Sequence, residues 1–300
     1  MIGRLVLAVL FALCAGCSCS ADPGNGGDGG SSRDATAQGL DASGLDAARP
    51  DAMRPDATAS AEVCDRIDND RNGIIDDIDV GGDGVCDCLS IATLGVRGNA
   101  GVGDVFESWL RARSTNGVVD LANGELTAEV LAPFQVIVAQ NVSGGEYSDE
   151  EVAALDAWIR GGGGFMTLIG YADPSERTNA NRMLASSGLS YGPDPVLYVG
   201  GSTAPVTTWH PHPVSEMVTR LGADNGYAVL GGGTLIAEEG GVPMLRAVEL
   251  GQGRVLVWGD EWITFDSEWT GHPDYQVERF WLNALKWLSP PTECQVPILI

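Results

Sequence analysis

The chain has 300 residues, 44% of them hydrophobic, enough for a sizeable core in one large or two small domains. Its 17 basic and 41 acidic residues leave a net charge of -24, and Lys286 is the single lysine. That balance excludes nucleic acid and anionic membrane surfaces as partners and makes cations the natural counterpart.

In chain order, the first segment is an address. MIGRLVLAVLFALCAGCSCS carries one early arginine, an apolar run from Leu5 to Leu13 and a small-residue stretch ending at a cysteine. It is too short to span a bilayer as a mature helix and reads as an export signal over 1–16. Ala15, Gly16 and Cys17 resemble the lipobox end of a bacterial lipoprotein signal, although Cys14 stands where that family usually has leucine. The resemblance implies lipid attachment at Cys17, with an ordinary cleaved secretory peptide as the alternative. It also implies an outer-membrane or cell-surface location, because Ser18 stands where an aspartate often signals inner-membrane retention.

A tether over 17–62 follows. It is mostly Ala, Asp, Gly, Pro and Ser, with small repeats in GLDASGLDA and RPDAMRPDA. So little apolar surface cannot offset the entropy of ordering. About 40 such residues span roughly 35 Å on average, which makes the segment a spacer.

Residues 63–88 form an acidic segment. Between Cys64 and Asp87 lie Asp65, Asp68, Asp70, Asp76, Asp77, Asp79, Asp83 and Asp87 against Arg66 and Arg71, a local net of -6. With Asp68 at position 1 of a calcium loop, the ligand positions hold Asp68, Asp70, Asn72, the Ile74 carbonyl, Asp76 and Asp79. Gly73 falls at the sharp turn and Ile75 at the apolar position. Alternate oxygen donors around a glycine suit a hard cation that takes six to eight oxygens, so a structural Ca2+ is expected, the alternative being a solvated acidic loop. The spacing resembles the calcium loops of dockerins and thrombospondin type 3 repeats, and VCDRIDNDRNGIIDD resembles a metal-binding motif segment of secreted bacterial lipoproteins. A degenerate second loop follows at Asp83, Gly84 and Asp87, where Gly81 replaces a ligand.

An exported chain permits disulfides, and Cys64, Cys86, Cys88 and Cys294 are the candidates. Of three possible pairings, Cys64 with Cys86 would close the acidic loop and Cys88 with Cys294 would join the ends of the folded domain. Zinc at Cys86 and Cys88 lacks two further ligands at useful spacing.

From 89 to 290 short apolar runs alternate with amphipathic ones. SIATLGV, GVVDL, FQVIVAQ and FMTLIGY read as strands, DVFESWLRAR as a helix, and Ser148 with Glu151 as the capping box of another that the GGGG run at 161–164 ends. Further strands are expected at 226–230, 233–238, 243–249 and 254–259, then a closing helix QVERFWLNALKWL and a tail over 291–300. The pattern implies a doubly wound, mostly parallel α/β sheet.

FQVIVAQNV, EEVAALDAWIRGGGGFMTLIGY, the HPV at 212–214 and GQGRVLVWGDEW, in that order, resemble the flavodoxin-like class I glutamine amidotransferase-like fold, especially its trehalose-utilisation-type branch. Active members of that fold carry a cysteine nucleophile after the strand that here ends at Gly170 and Tyr171. This chain has no cysteine between Cys88 and Cys294, so the thiol chemistry is not expected.

GNAGVGD at 98–104 has its glycines in the wrong order for a dinucleotide fingerprint, and Asp104 would repel a pyrophosphate even though Asp120 lies where a ribose-binding acid would. The histidines are His210, His212 and His272. His210 and His212, which share a face if extended, are the candidates for a metal or acid/base site with Asp260, Glu261 or Asp274, the alternative being that His212-Pro213 opens a helix and Asp260 caps a loop. Trp258, Trp262 and Trp269 would offer stacking surfaces for a sugar. Three functions are consistent with this reading: a non-catalytic, calcium-stabilised binding module held to the membrane by a lipid anchor with a glycan or protein ligand, a hydrolase of carbohydrate or envelope substrates, or a scaffold subunit.

Overall fold

The computed structural model describes residues 60–95, 103–115, 117–121, 125–170, 174–197 and 203–296. The export signal, Cys17 and the tether as far as residue 59 lie outside them, as does most of the GNAGVGD loop. Among the described residues no helix is long and apolar enough to cross a membrane.

The first half alternates strand and helix: β1 (Ile91–Leu94), α1 (Asp104–Arg111), β2 (Val119–Asp120), α2 (Ala128–Leu131), β3 (Val136–Ala139), α3 (Asp149–Arg160), β4 (Gly164–Thr167) and α4 (Pro174–Leu184). The second half is mostly strand: β5 (Leu189–Pro195), β6 (Ala204–Val206), β7 (Thr208–Trp209), β8 (Leu221–Ala223), β9 (Tyr227–Gly231), β10 (Thr234–Glu239), β11 (Val242–Leu250) and β12 (Gly253–Trp258), then α5 (Asp266–Thr270) and α6 (Val277–Leu288). One sheet of eight strands runs β2-β1-β3-β4-β12-β11-β10-β7. Its first five strands pair in parallel and its last three antiparallel.

Turn chemistry explains the change of direction. Gly240 and Gly241, both with positive φ (58° and 81°), make a two-residue link between β10 and β11, and Gly251-Gln252 links β11 to β12. Links this short can only reverse the chain, whereas parallel neighbours need a crossover. The strand expected at 226–230 forms β9, but it pairs with β5 outside the main sheet.

Period-two alternation buries both faces. Ile91, Val136, Val138, Met166, Leu256 and Trp258 point to the side covered by Phe106 and Leu110 of α1 and by Phe280, Trp281, Ala284 and Leu285 of α6. Ala92, Leu94, Ile137, Ala139, Phe165, Val255 and Val257 point to the other, under Leu155 and Ile159 of α3 and Ala180, Met183 and Leu184 of α4. The sheet is therefore doubly wound. Ser148 and Glu151 complete the capping box that starts α3. Gly164 starts β4 because a Cβ there would lie 2.2 Å from the Leu288 carbonyl oxygen at the end of α6.

The acidic segment is packed onto this domain, within the same compact unit. Ile75 bridges Glu293 in parallel, its N–H donating to the Thr292 carbonyl and its carbonyl accepting from Cys294 N–H. Val85, Cys86, Cys88, Cys294 and Val296 join the α1/α6 side of the core. The disulfides are Cys64–Cys88 and Cys86–Cys294, not the expected Cys64–Cys86 and Cys88–Cys294. The Ile75–Glu293 bridge sets Cys294 against Cys86, which leaves Cys88 to close the acidic loop with Cys64.

Candidate functional site

The first half of the acidic loop folds around its own backbone. Asp68 accepts from Asn72 N–H (3.1 Å) and Gly73 N–H (2.9 Å), Asp70 from Asn72 N–H (2.9 Å), and the Asn72 side-chain oxygen from Ile74 N–H (2.8 Å). Gly73 takes the left-handed turn (φ 94°) that its place in the pattern requires.

The second half departs from the expected ligand frame. Asp76 is buried and turns inward, its carboxylate accepting from the N–H groups of Asp65 (3.1 Å) and Arg66 (3.0 Å). Burial pushes its pKa up while those two bonds pull it down. Asp79 turns toward the degenerate second loop, accepting from Asp83 and Gly84 N–H at 3.0 and 2.8 Å. Asp83 in turn pairs with Arg113 at 2.8 Å.

The group that does converge is Glu62, Asp70 and Asp77, with carboxylate oxygens all within 4.8 Å of one another. Glu62 is fixed by Asp70 N–H (2.7 Å) and Asp76 N–H (3.0 Å). The Asn72 amide nitrogen donates to Asp70 (3.2 Å) and Asp77 (2.8 Å). Glu62 precedes the twelve-residue frame that starts at Asp68, and Asp77 falls between its ligand positions, so neither is a ligand in that register.

A second polar cluster lies at the carboxyl ends of β3, β4 and β12, where open α/β sheets place their sites. Glu176 of α4 accepts from Asn141 N–H (2.7 Å) after β3 and from Gly170 N–H (3.2 Å) after β4. Glu261 accepts from the Gln140 amide at 3.2 Å. Asp260 is buried and accepts from Asp224 N–H (2.8 Å) and Glu261 N–H (2.7 Å). Burial raises Asp260 well above the usual carboxylate range and raises Glu261 as well. A Cβ on Gly170 would lie 2.6 Å from Glu261 Oε1, so the glutamate carboxylate occupies the space a larger residue at this turn would need.

The histidines are not part of that cluster. His210 Nε2 lies 3.4 Å from Glu238. His212 caps a short 3-10 turn by accepting from Val214 N–H (3.1 Å) and packs edge-on to Trp287. Its pKa is lowered by burial and then by Arg254 at the amino end of β12, whereas Asp260 and Glu261 follow that strand's carboxyl end. Six residues of strand separate those ends by roughly 20 Å. His272 stacks on Tyr275 beside the buried Glu268, and Asp274 pairs with Arg220 at 2.7 Å.

The tryptophans suggested for sugar stacking are largely structural. Trp258 is fully buried, Trp269 packs on Phe106 and Trp109, and Trp262 packs on Phe265. The amino end of α1 is already capped by Asp266, which accepts from Val105 N–H at 3.0 Å, leaving a pyrophosphate a carboxylate to displace. Asp120 is exposed on the edge strand β2.

No family model matches the chain, and no curated protein matches it. Among solved structures it is similar to the mmIFT52 N-terminal domain, at 15% identity and a TM-score of 0.53 over 66% of this chain and 96% of that one. It is also similar to the cytoplasmic protein STM1381 from Salmonella typhimurium LT2, at 15% identity and a TM-score of 0.52 over 67% of this chain and 100% of that one. A ThuA-like protein from Bacteroides uniformis ATCC 8492 matches at 15% identity and a TM-score of 0.44, over 66% of this chain and 89% of that one. At such identities the likeness is one of fold. The chain is an α/β protein with a flavodoxin-like, mostly parallel sheet.

Proposed function

We propose that this chain is a lipid-anchored protein of the cell envelope, displayed at the outer membrane or cell surface, whose α/β domain is a non-catalytic binding module stabilised by calcium. The observation that carries the calcium part is the convergence of Glu62, Asp70 and Asp77 in the segment that joins tether to domain. A hard cation wants several oxygens at once, and these three carboxylates supply them together. The Asn72 amide, donating to Asp70 and Asp77, stands where positive charge is wanted.

The binding-module part is supported by the lack of a cysteine between Cys88 and Cys294 and by the Glu261 carboxylate, which fills the space beside Gly170. An oxidising compartment is supported by the two disulfides. The lipid anchor rests on Cys17 alone, and a Cys17→Ser chain is expected in the soluble fraction without incorporated palmitate.

Calorimetric unfolding in 10 mM calcium and in chelator tests the metal. An extracellular-type site with Kd of roughly 10⁻⁴ to 10⁻³ M adds about 1.4–2.7 kcal/mol at that concentration, or about 3–10 °C in Tm for a domain of this size. The shift disappears in an Asp70→Asn, Asp77→Asn chain. Coincident transitions for the unaltered protein would discard calcium.

A further inference from the structure

An open groove of about 670 Å³ crosses the amino ends of β4 and β12, at the opposite edge of the sheet from the Gly170 turn. Its size falls within the roughly 300–1,000 Å³ that ligand sites occupy. The groove is kept open by the glycines at 161–163, 251 and 253, which bring no side chains to fill it, and residues 290–293 line it as well.

Trp158 is its aromatic surface. The indole is held by an Nε1–H bond to the Phe134 carbonyl (3.1 Å), and it lies so close to Gly163 that a Cβ there would be 2.5 Å from the ring. A ring fixed beforehand loses little freedom when a ligand stacks on it.

The polar groups around it are also anchored. Gln135 accepts from Ser90 N–H (2.7 Å) and donates to Glu293 (3.3 Å). Arg66 donates to the Pro133 carbonyl (2.7 Å), and Arg254 to the Ser289 carbonyl (3.3 Å). Each guanidinium has further N–H groups, and each carboxylate further lone pairs, for a ligand. Arg66 and Arg254 line the groove together with Glu249 and Glu293, Glu249 standing beside Arg254 on the neighbouring strand, so the lining is balanced in a chain whose net charge is -24.

A balanced lining favours neither an anion nor a cation. A ligand with both donors and acceptors and an apolar face satisfies the amide, the ion-pair groups and the indole together. We propose that this groove binds a neutral, hydroxyl-rich oligosaccharide, stacked on Trp158 and hydrogen-bonded to Arg66, Glu249 and Arg254. The proposal rests on the binding-module reading and gives that module its ligand class and its place. The acidic loop enters it directly, because Asp76 holds the backbone of Arg66.

The test is titration calorimetry of the mature chain, in calcium, with cellohexaose, maltohexaose and chitohexaose, and with hexalysine and hexaglutamate as charged controls. At least one hexasaccharide is expected to saturate the protein and change its tryptophan fluorescence. Trp158→Ala should weaken that binding by about tenfold or more. Arg66→Gly suits the left-handed φ of 67° at this position, so it should fold with an unchanged melting transition and bind severalfold more weakly.

Absence of binding by all three sugars at millimolar concentration would overturn the proposal. So would binding of the charged peptides alone, or sugar binding that survives both substitutions. Sugar binding without a calcium shift would remove the calcium reading and keep the groove; the reverse would remove the groove.

Discussion

Replacing Asp76 by alanine separates a structural carboxylate from a cation ligand. Asp76 is 3% exposed and gives two backbone N–H groups, those of Asp65 and Arg66, their acceptor. Bonds to a charged acceptor are worth about 1.5–3 kcal/mol each, and burial of the carboxylate, which raises its pKa, offsets part of that. The residue also sits at φ 55°, where aspartate is tolerated and alanine costs about 1 kcal/mol. The net expectation is a loss of about 3 kcal/mol for Asp76→Ala, and about half of it for Asp76→Asn, which keeps one acceptor and the left-handed preference. Urea unfolding followed by tryptophan fluorescence reads this directly. Because both N–H groups belong to the protein, the loss should be equal in calcium and in chelator. A loss that appears only in calcium, with coincident chelator curves, would refute the assignment and restore Asp76 as a ligand.

Three other outcomes follow from long-range contacts. Glu261→Gln should stabilise the protein by about 1 kcal/mol at pH 8, because it removes a carboxylate whose pKa burial has raised. Below the ordinary value of 4.5 both folded and unfolded chains are protonated; as pH rises through the raised folded value the unaltered protein loses stability, so the advantage of the variant grows with pH and vanishes in acid. Gly170→Ala should lower Tm through its clash with Glu261, and Glu261→Ala in the same chain should recover most of the loss, read as a double-mutant cycle. Cys294→Ser opens a loop with a sequence separation of 208, against 24 for Cys64→Ser, so chain entropy predicts losses of about 5 and about 3.5 kcal/mol in denaturant unfolding; equal losses would count against the pairing.

The fold is legible wherever local chemistry sets it. Ser148 and Glu151 mark the start of α3, the alternation of Val136, Ile137, Val138 and Ala139 marks a strand buried on both sides, and the apolar stripe of α6 marks a packed helix. The direction of β10 and β11 is set by the short Gly240-Gly241 link, whose positive φ values glycine adopts readily. The site was less legible. Gly73 takes the left-handed turn that its spacing implies and Asp70 joins the converging carboxylates, but Glu62 and Asp77 come from outside the expected ligand positions and Asp76 turns away to the backbone of Asp65 and Arg66.

The sequence by itself thus determined β1 to β4, β9 to β12, α1, α3 and α6, the doubly wound α/β class and the turn at Gly73, because capping, alternation and positive φ act over a few residues. Helices α2, α4 and α5 and strands β5 to β8 were not read from it. Tertiary structure alone decided the partner of each cysteine, the separation of His210 and His212 from Asp260 and Glu261, and which carboxylates share a space. Those outcomes depend on segments far apart in the chain arriving side by side. The Ile75–Glu293 bridge is the clearest case: one backbone pairing across 218 residues sets Cys294 on Cys86 and leaves Cys64 to Cys88.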